Sequence, residues 1–206
     1  MDKTFAEIAF TPAVRAAQAR YGSRDGYAAV AAKAADFAGL TAREAGFVEG
    51  LDGFYQATVG EGGWPYVQFR GGPQGFLRVL DPRTLGYADL EGNKQYLSVG
   101  NLAGDDRVAL LLLDHANRRR LKVWARARVV DAADDPALAS RLAVPGYPGR
   151  VGRSVLLAVE GFDWNCPQHI TPRFSADELA AVLAPFKARL EALEAENARL
   201  RGAAAG

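Results

Sequence analysis

One cysteine, one methionine and two histidines are all that this 206-residue chain holds of the side chains most used in disulfides, soft-metal ligation and imidazole chemistry. A single Cys excludes an internal disulfide, and a structural zinc site, which takes four Cys and His ligands, runs short of them. Charge of one sign is lacking too. With 25 Lys and Arg against 24 Asp and Glu, the formal charge is +1, so no global field recruits nucleic acid or an anionic membrane. Any anion it binds must meet a local site. No run approaches the roughly 20 apolar residues that span a bilayer, and the opening MDKTFAEIAF has no signal-peptide core. A soluble cytoplasmic protein with neither nucleic acid nor membrane as partner is the expectation. What is present is a globular composition, 49% apolar, sufficient for a core without staples.

Residues 1–50 read as an Ala-rich helical segment. Thr11 stands as an N-cap before Pro12, and Thr41 with Glu44 has capping-box spacing. The character then changes to short strands. FYQATV (54–59) turns through Gly60–Gly63 into a strand ending at Arg70, and FLRVLD (76–81) pairs with TLGYADL (84–90) through a Pro82 turn. A short helix is expected over 93–102. VALLLL (108–113) reads as a strand buried on both faces, and RLKVWARARVV (120–130) alternates apolar with cationic residues. A helical connection at 135–142 and a last strand over 154–162 complete a series of six or seven antiparallel strands, which suggests a small barrel with α additions.

From Ser175 the period returns to helical. Leu183, Leu190 and Asn197 take heptad position a, and Leu179, Phe186, Leu193 and Leu200 take position d. Spacing alone leaves open whether this helix docks on its own domain or on a partner helix. The polar Asn197 in the seam and the complementary g and e residues, Arg189 with Glu194 and Glu196 with Arg201, favour a partner.

The segment EGFDWNCPQHITPRF (160–174) concentrates the rarest residues, Cys166, His169 and Trp164 among them. Cys166 and His169 have ligand-like spacing, but with only His115 left to join them a metal site is not expected. No oxyanion hole or orienting group supports a Cys-His nucleophile either. Basic residues say more. Gln68 and Arg70 end one strand, Lys94 follows another, and Arg118, Arg119, Arg120 and Lys122 open a third; if the strands over 66–70, 84–90 and 119–130 are neighbours, their ends converge on a phosphate.

Several runs together carry a resemblance: GWPYVQFRGG (63–72), FLRVLDPRTLGYADLEGNKQYLSVGNL (76–102), DDRVALLLLD (105–114), RRLKVWARARVV (119–130) and the closing DWNCPQHITPRF. Over roughly 45–174 the chain resembles the flavin-nucleotide-binding branch of the pyridoxamine 5'-phosphate oxidase-like split-barrel family. The resemblance implies a six-stranded split barrel, here over 51–174; the N-terminal helices of 1–50 and a C-terminal amphipathic or coiled-coil helix over 175–206, read from the sequence pattern, flank it. It also implies a homodimer binding FMN at the subunit interface. Carried onto this chain, it places Gln68, Phe69 and Arg70 on the phosphate-binding strand and Tyr87, Ala88, Asp89, Asn93, Lys94 and Gln95 on the following cofactor segment. Arg120 falls near the flavin ring, and Trp164, Cys166, Pro167 and Arg173 cap the site, with His169 toward substrate. Asn93 and Gln68 stand where the family pattern has Arg, which shifts the phosphate grip to Arg70 and Lys94.

The tail Gln168–Arg173 lacks the Arg-x-His-x-Arg motif of the vitamin-processing members, so FMN is implied more firmly than pyridoxamine phosphate oxidation. An FMN-dependent oxidoreductase acting on a small molecule or a nicotinamide nucleotide is the leading expectation. No catalytic side chain is assigned, because hydride transfer at a flavin needs no protein nucleophile. A non-catalytic flavin store or sensor is the alternative, and a split barrel holding a deazaflavin or haem is a third reading.

Overall fold

The structure is a computed structural model, and it describes residues 4–33, 38–165 and 167–204. Cys166 therefore lies outside the described residues. Two compact units are present, one comprising Met1–Asp114 with Arg119–Pro167, the other His115–Arg118 with Gln168–Gly206.

Among its described residues the first unit opens with four helices, α1 (Phe5–Ala9), α2 (Pro12–Arg20), α3 (Arg24–Lys33) and α4 (Ala42–Glu49). Their starts follow local chemistry. The Thr11 hydroxyl accepts from the Val14 N–H at 3.3 Å, with Pro12 at a position that has no use for an N–H. Thr41 and Glu44 form the reciprocal box, the Glu44 carboxylate accepting from the Thr41 N–H at 3.1 Å. Gly39 makes the approach to α4 feasible: its φ is +124°, and a Cβ there would stand 2.8 Å from Pro82 Cβ.

Among the described residues seven strands follow, β1 (Gly53–Val59), β2 (Pro65–Gly71), β3 (Arg78–Asp81), β4 (Thr84–Leu90), β5 (Arg107–Asp114), β6 (Arg119–Asp131) and β7 (Val151–Asn165). They form one antiparallel sheet in the order β2-β1-β5-β6-β7-β4-β3. The expected six strands are thus seven, with β2 and β3 left as the two edges of an open order. Helix α5 (Leu97–Gly104) follows β4, and α6 (Pro136–Leu142) joins β6 to β7.

Alternation sorts the side chains. Phe54, Leu85, Tyr87, Leu110, Leu112, Leu121, Val123 and Leu157 point into one core, and each is nearly or fully buried. Phe76 and Leu77 join this core just ahead of β3 rather than pairing in a ladder, so that strand begins two residues later than the sequence suggests. VALLLL is not covered on both faces. Val108, Leu110 and Leu112 are buried, whereas Ala109, Leu111 and Leu113 are half-buried, because they line the outward face of the sheet. On that face α1 covers only part: the Phe5 ring lies 5.1 Å from that of Trp124, and Ile8 sits over Gly161. Helices α1 and α4 thus pack on the sheet, and α2 packs on α3.

The second unit contains the long helix α7 (Ala176–Ala204), opened by a capping pair in which the Ser175 hydroxyl accepts from the Glu178 N–H at 3.1 Å and the Glu178 carboxylate accepts from the Ser175 N–H at 2.7 Å. Among the described residues no helix is long and apolar enough to cross a membrane.

Candidate functional site

Inward-facing residues of β2 and β4 meet at one end of the core, although no ladder joins these strands. Register explains the meeting. Gln68 and Arg70 pair with Gln56 and Phe54 and share their inward face, and Asp89 pairs with Arg153 across β4 and β7. Arg70 Nη1 reaches Asp89 Oδ1 at 2.6 Å, and Arg153 Nε reaches Asp89 Oδ2 at 2.8 Å. One buried carboxylate therefore holds two guanidinium groups. Burial, the largest influence on Arg153, lowers its affinity for a proton, but the Asp89 hydrogen bond and charge outweigh it and the guanidinium stays firmly cationic. Arg70 Nε is buried and has no partner among the described residues, a donor left for a ligand.

A loop and a helix end close the other side. Asn93 Oδ1 accepts from the Gln95 N–H at 3.1 Å, and Lys94 and Tyr96 adopt left-handed backbone conformations with φ of 59° and 54°. These two residues delay the helix expected from 93, so that α5 starts at Leu97. Its N-terminus has no side-chain cap, which leaves backbone donors and the positive end of the helix dipole facing the cavity. Ser98 Oγ donates to Gln68 Oε1 at 3.0 Å and Asn101 Nδ2 to Thr58 Oγ1 at 2.9 Å, and these bonds anchor α5 to β2 and β1. The resulting cavity of about 180 Å³ is lined by three cations, Arg70, Lys94 and Arg153, against two carboxylates, Asp89 and Glu91. Glu91 is itself approached by Arg150 at 3.4 Å.

Gln68, Arg70, Asp89, Asn93, Lys94 and Gln95 all line this cavity. The other sequence-derived candidates among the described residues do not. Phe69 alternates to the outward face, where it contacts the Tyr55 ring at 5.4 Å. Tyr87 is in the core, its hydroxyl donating to Gln56 Oε1 at 2.8 Å, and burial pushes the phenol far above its ordinary value, so it remains neutral. Ala88 faces a small separate cavity with Phe76 and Leu142. Arg120 lies on the outward face of β6 with its Nε buried and without a partner among the described residues. Two of the three strand ends thus meet at the cavity; on β6, Arg120 and Lys122 take the opposite face, and Arg119 lies 5.0 Å over the Phe47 ring and pairs with Asp114.

Trp164 is a structural clamp between α4 and β7. Its indole donates to Glu44 Oε1 at 2.8 Å, the Phe47 ring packs edge-on at 4.7 Å, and the Arg43 guanidinium lies 4.6 Å over it. Burial, the largest influence on Glu44, pushes its carboxyl up, but hydrogen bonds from Thr41 and Trp164 together outweigh it and hold the group below its ordinary value. Pro167 is exposed. His169 and Arg173 are exposed residues of the second unit, His169 with a left-handed φ of 63°. Among the described residues no group of three His, Cys, Asp or Glu side chains is placed to hold a metal.

Arg153, Tyr96 and Ser98 line the cavity without having been singled out from sequence. The signal for Arg153 was its place in a Pro/Gly-rich stretch that reads as loop; β7 in fact starts at Val151, so Arg153 is a strand residue across from Asp89.

Residues 40–158, more than half of the chain, match the family model described as pyridoxamine 5'-phosphate oxidase. The chain belongs to the pyridoxamine 5'-phosphate oxidase family. Every residue lining the cavity falls within that match. Solved structures similar to this family member include a candidate pyridoxamine 5'-phosphate oxidase from Lactobacillus delbrueckii, 27% identical, with 61% of this chain and 93% of that one covered at a TM-score of 0.47. An FMN-binding protein from Syntrophomonas wolfei is 11% identical, with 59% and 83% covered at 0.46. A protein from Clostridium acetobutylicum related to general stress protein 26, of the pyridoxinephosphate oxidase family, is 16% identical, with 64% and 91% covered at 0.45. No curated protein matches the chain.

Proposed function

We propose that the chain is an FMN-binding oxidoreductase of this family whose β2–β4 cavity takes the phosphate end of the cofactor. The observation that carries this reading is the Arg70–Asp89–Arg153 cluster. Its two guanidinium groups share one carboxylate, leaving a cationic excess, an unused Arg70 Nε donor, the nearby Lys94 and the uncapped start of α5. That donor set suits a phosphate dianion: Arg supplies directional N–H groups, Lys a point charge, and a helix N-terminus backbone donors.

At about 180 Å³ the cavity is smaller than the roughly 300–1,000 Å³ that encloses a cofactor-sized ligand, so the remainder of FMN extends beyond it. In this reading Arg70 and Lys94 neutralise the phosphate, Arg153 holds Asp89 away from it, and Gln68 and Ser98 orient the adjoining polar chain. When bound, FMN supplies hydride or electron chemistry at its ring.

A second copy completes the site in this reading. On the outward face an apolar trough of about 440 Å³ runs between Tyr55, Val67, Leu111 and Trp124. Beside it Trp64, Val67 and Phe69 are 82%, 59% and 57% exposed. A contiguous apolar surface of this kind suits an interface between copies.

The visible spectrum of the purified protein tests the reading. Oxidised-flavin bands, with FMN released on denaturation, are expected, and NADH or NADPH should bleach them. Protein that neither carries nor binds FMN overturns it; bound FMN that no reductant and acceptor pair turns over marks a store or sensor instead.

A further inference from the structure

Helix α7 carries an exposed apolar stripe. Leu183, Phe186, Leu190, Leu193 and Leu200 are 56%, 69%, 56%, 44% and 55% exposed, and all fall on the a and d positions of one heptad frame. A stripe of this width and period on a 29-residue helix matches the seam of a coiled coil. Pro185, the only proline within α7, takes position c and faces away from the seam.

We propose that α7 pairs with α7 of a second copy as a parallel, in-register, two-stranded coiled coil. Charge selects the identical helix as partner. At successive g and e positions Arg189 meets Glu194 of the partner subunit, and Glu196 meets Arg201 of the partner subunit, so both pairs are attractive in a parallel homodimer.

Orientation is decided by Asn197. In an antiparallel pair every a residue faces a d residue, and the d residues here are Leu179, Phe186, Leu193 and Leu200. The Asn197 amide would then be buried against an apolar side chain with no partner, which costs more than any surface ion pair returns. In a parallel pair the two Asn197 amides meet and hydrogen-bond to each other, and only the in-register alignment allows it. The seam is about three heptads long and therefore marginal as an isolated peptide. Within the full chain it adds to any other contact between copies and sets their C-terminal ends side by side. The inference does not depend on what the β2–β4 cavity binds.

Cysteine cross-linking of the full chain tests it. In a Cys166→Ser background, Leu200→Cys at position d should form a disulfide-linked dimer under mild oxidant. Ala195→Cys at the outward f position, equally near the C-terminus, should cross-link at least about tenfold more slowly, because only the seam raises effective concentration. When separately tagged Leu183→Cys and Leu200→Cys chains are mixed, no 183–200 cross-link is expected. Equal rates for Leu200→Cys and Ala195→Cys would overturn the pairing, and a dominant 183–200 product would overturn its parallel sense. As a second perturbation, Leu190→Lys with Leu193→Lys, exposed positions that leave the barrel core untouched, should abolish the Leu200→Cys cross-link. Its persistence would also overturn the proposal.

Discussion

Asp89→Asn is the most informative single change. Asp89 is 5% exposed and accepts from two guanidinium groups, Arg70 Nη1 at 2.6 Å and Arg153 Nε at 2.8 Å. The side chains of Arg70 and Arg153 are only 15% and 16% exposed, so water replaces the lost charge poorly. Removing one partner from a buried ion pair costs about 3–5 kcal/mol, and here the two cations are also left facing each other. For a chain of this size that predicts a fall in Tm of roughly 6–20 °C, readable by calorimetry or by the urea midpoint at unchanged m. The sign of the ligand response is a sharper check. A phosphate dianion substitutes for the missing carboxylate, so inorganic phosphate, compared with chloride at equal ionic strength, should raise the Tm of Asp89→Asn more than that of the parent. Salting effects common to both proteins cancel in that difference. A loss below about 1 kcal/mol, the level of an exposed pair, together with an equal phosphate response, would show that the cluster is a solvated surface feature.

Further outcomes follow from other contacts. Arg70→Ala with Lys94→Ala should weaken FMN binding by about 3 kcal/mol or more, on the order of a hundredfold; titration with unchanged affinity removes both from the phosphate grip. Trp164→Phe leaves the Glu44 carboxylate without its indole donor and should cost about 1.5–3 kcal/mol, measured by denaturation. Because hydrogen bonding lowers the Glu44 value from 4.5 in the folded state, its stabilisation is complete above that value and drains away as the pH falls through the lower one. Glu44→Gln should therefore be less stable than the parent at pH 7 and approach it in acid, as the pH falls progressively below 4.5; a gap constant between the two conditions contradicts the assignment. Gly39→Ala forces a side chain into φ +124° and against Pro82, which should destabilise by about 1–3 kcal/mol, whereas Gly22→Ala, with φ +77° but open space around it, should cost less.

Much of the architecture was legible because local chemistry and global fold agree. Thr11-Pro12 and Thr41-Glu44 start helices where their caps demand, and the alternation Leu121, Val123, Ala125, Ala127 is the buried face of β6. Where the reading failed, long-range packing was the cause. The left-handed Lys94 and Tyr96 postpone α5, a choice fixed by the loop's tertiary setting. Nothing in GYPGRVGR announces that Arg153 pairs with Asp89, since that partnership depends on the β4–β7 register. Trp164, in a segment that looks like a lid, is taken by Glu44 and Phe47, residues 120 and 117 positions away. Gln68, Arg70 and Lys94 came together as expected because residues two apart on one strand share a face, but the same rule sent Phe69 outward and Arg120 to the far side of the sheet.

Strand β2 has a hydrogen-bonded neighbour on one side only, and what faces β4 across the gap is an ion pair. The slit between them can widen without the loss of a single ladder hydrogen bond. Opening there breaks the guanidinium contacts to Asp89, so in the proposed reading the ion pairs that stabilise the cluster also time the exchange of an anion. Substitution at Arg70 or Arg153 therefore alters the stability of the fold and the hold on an anion together.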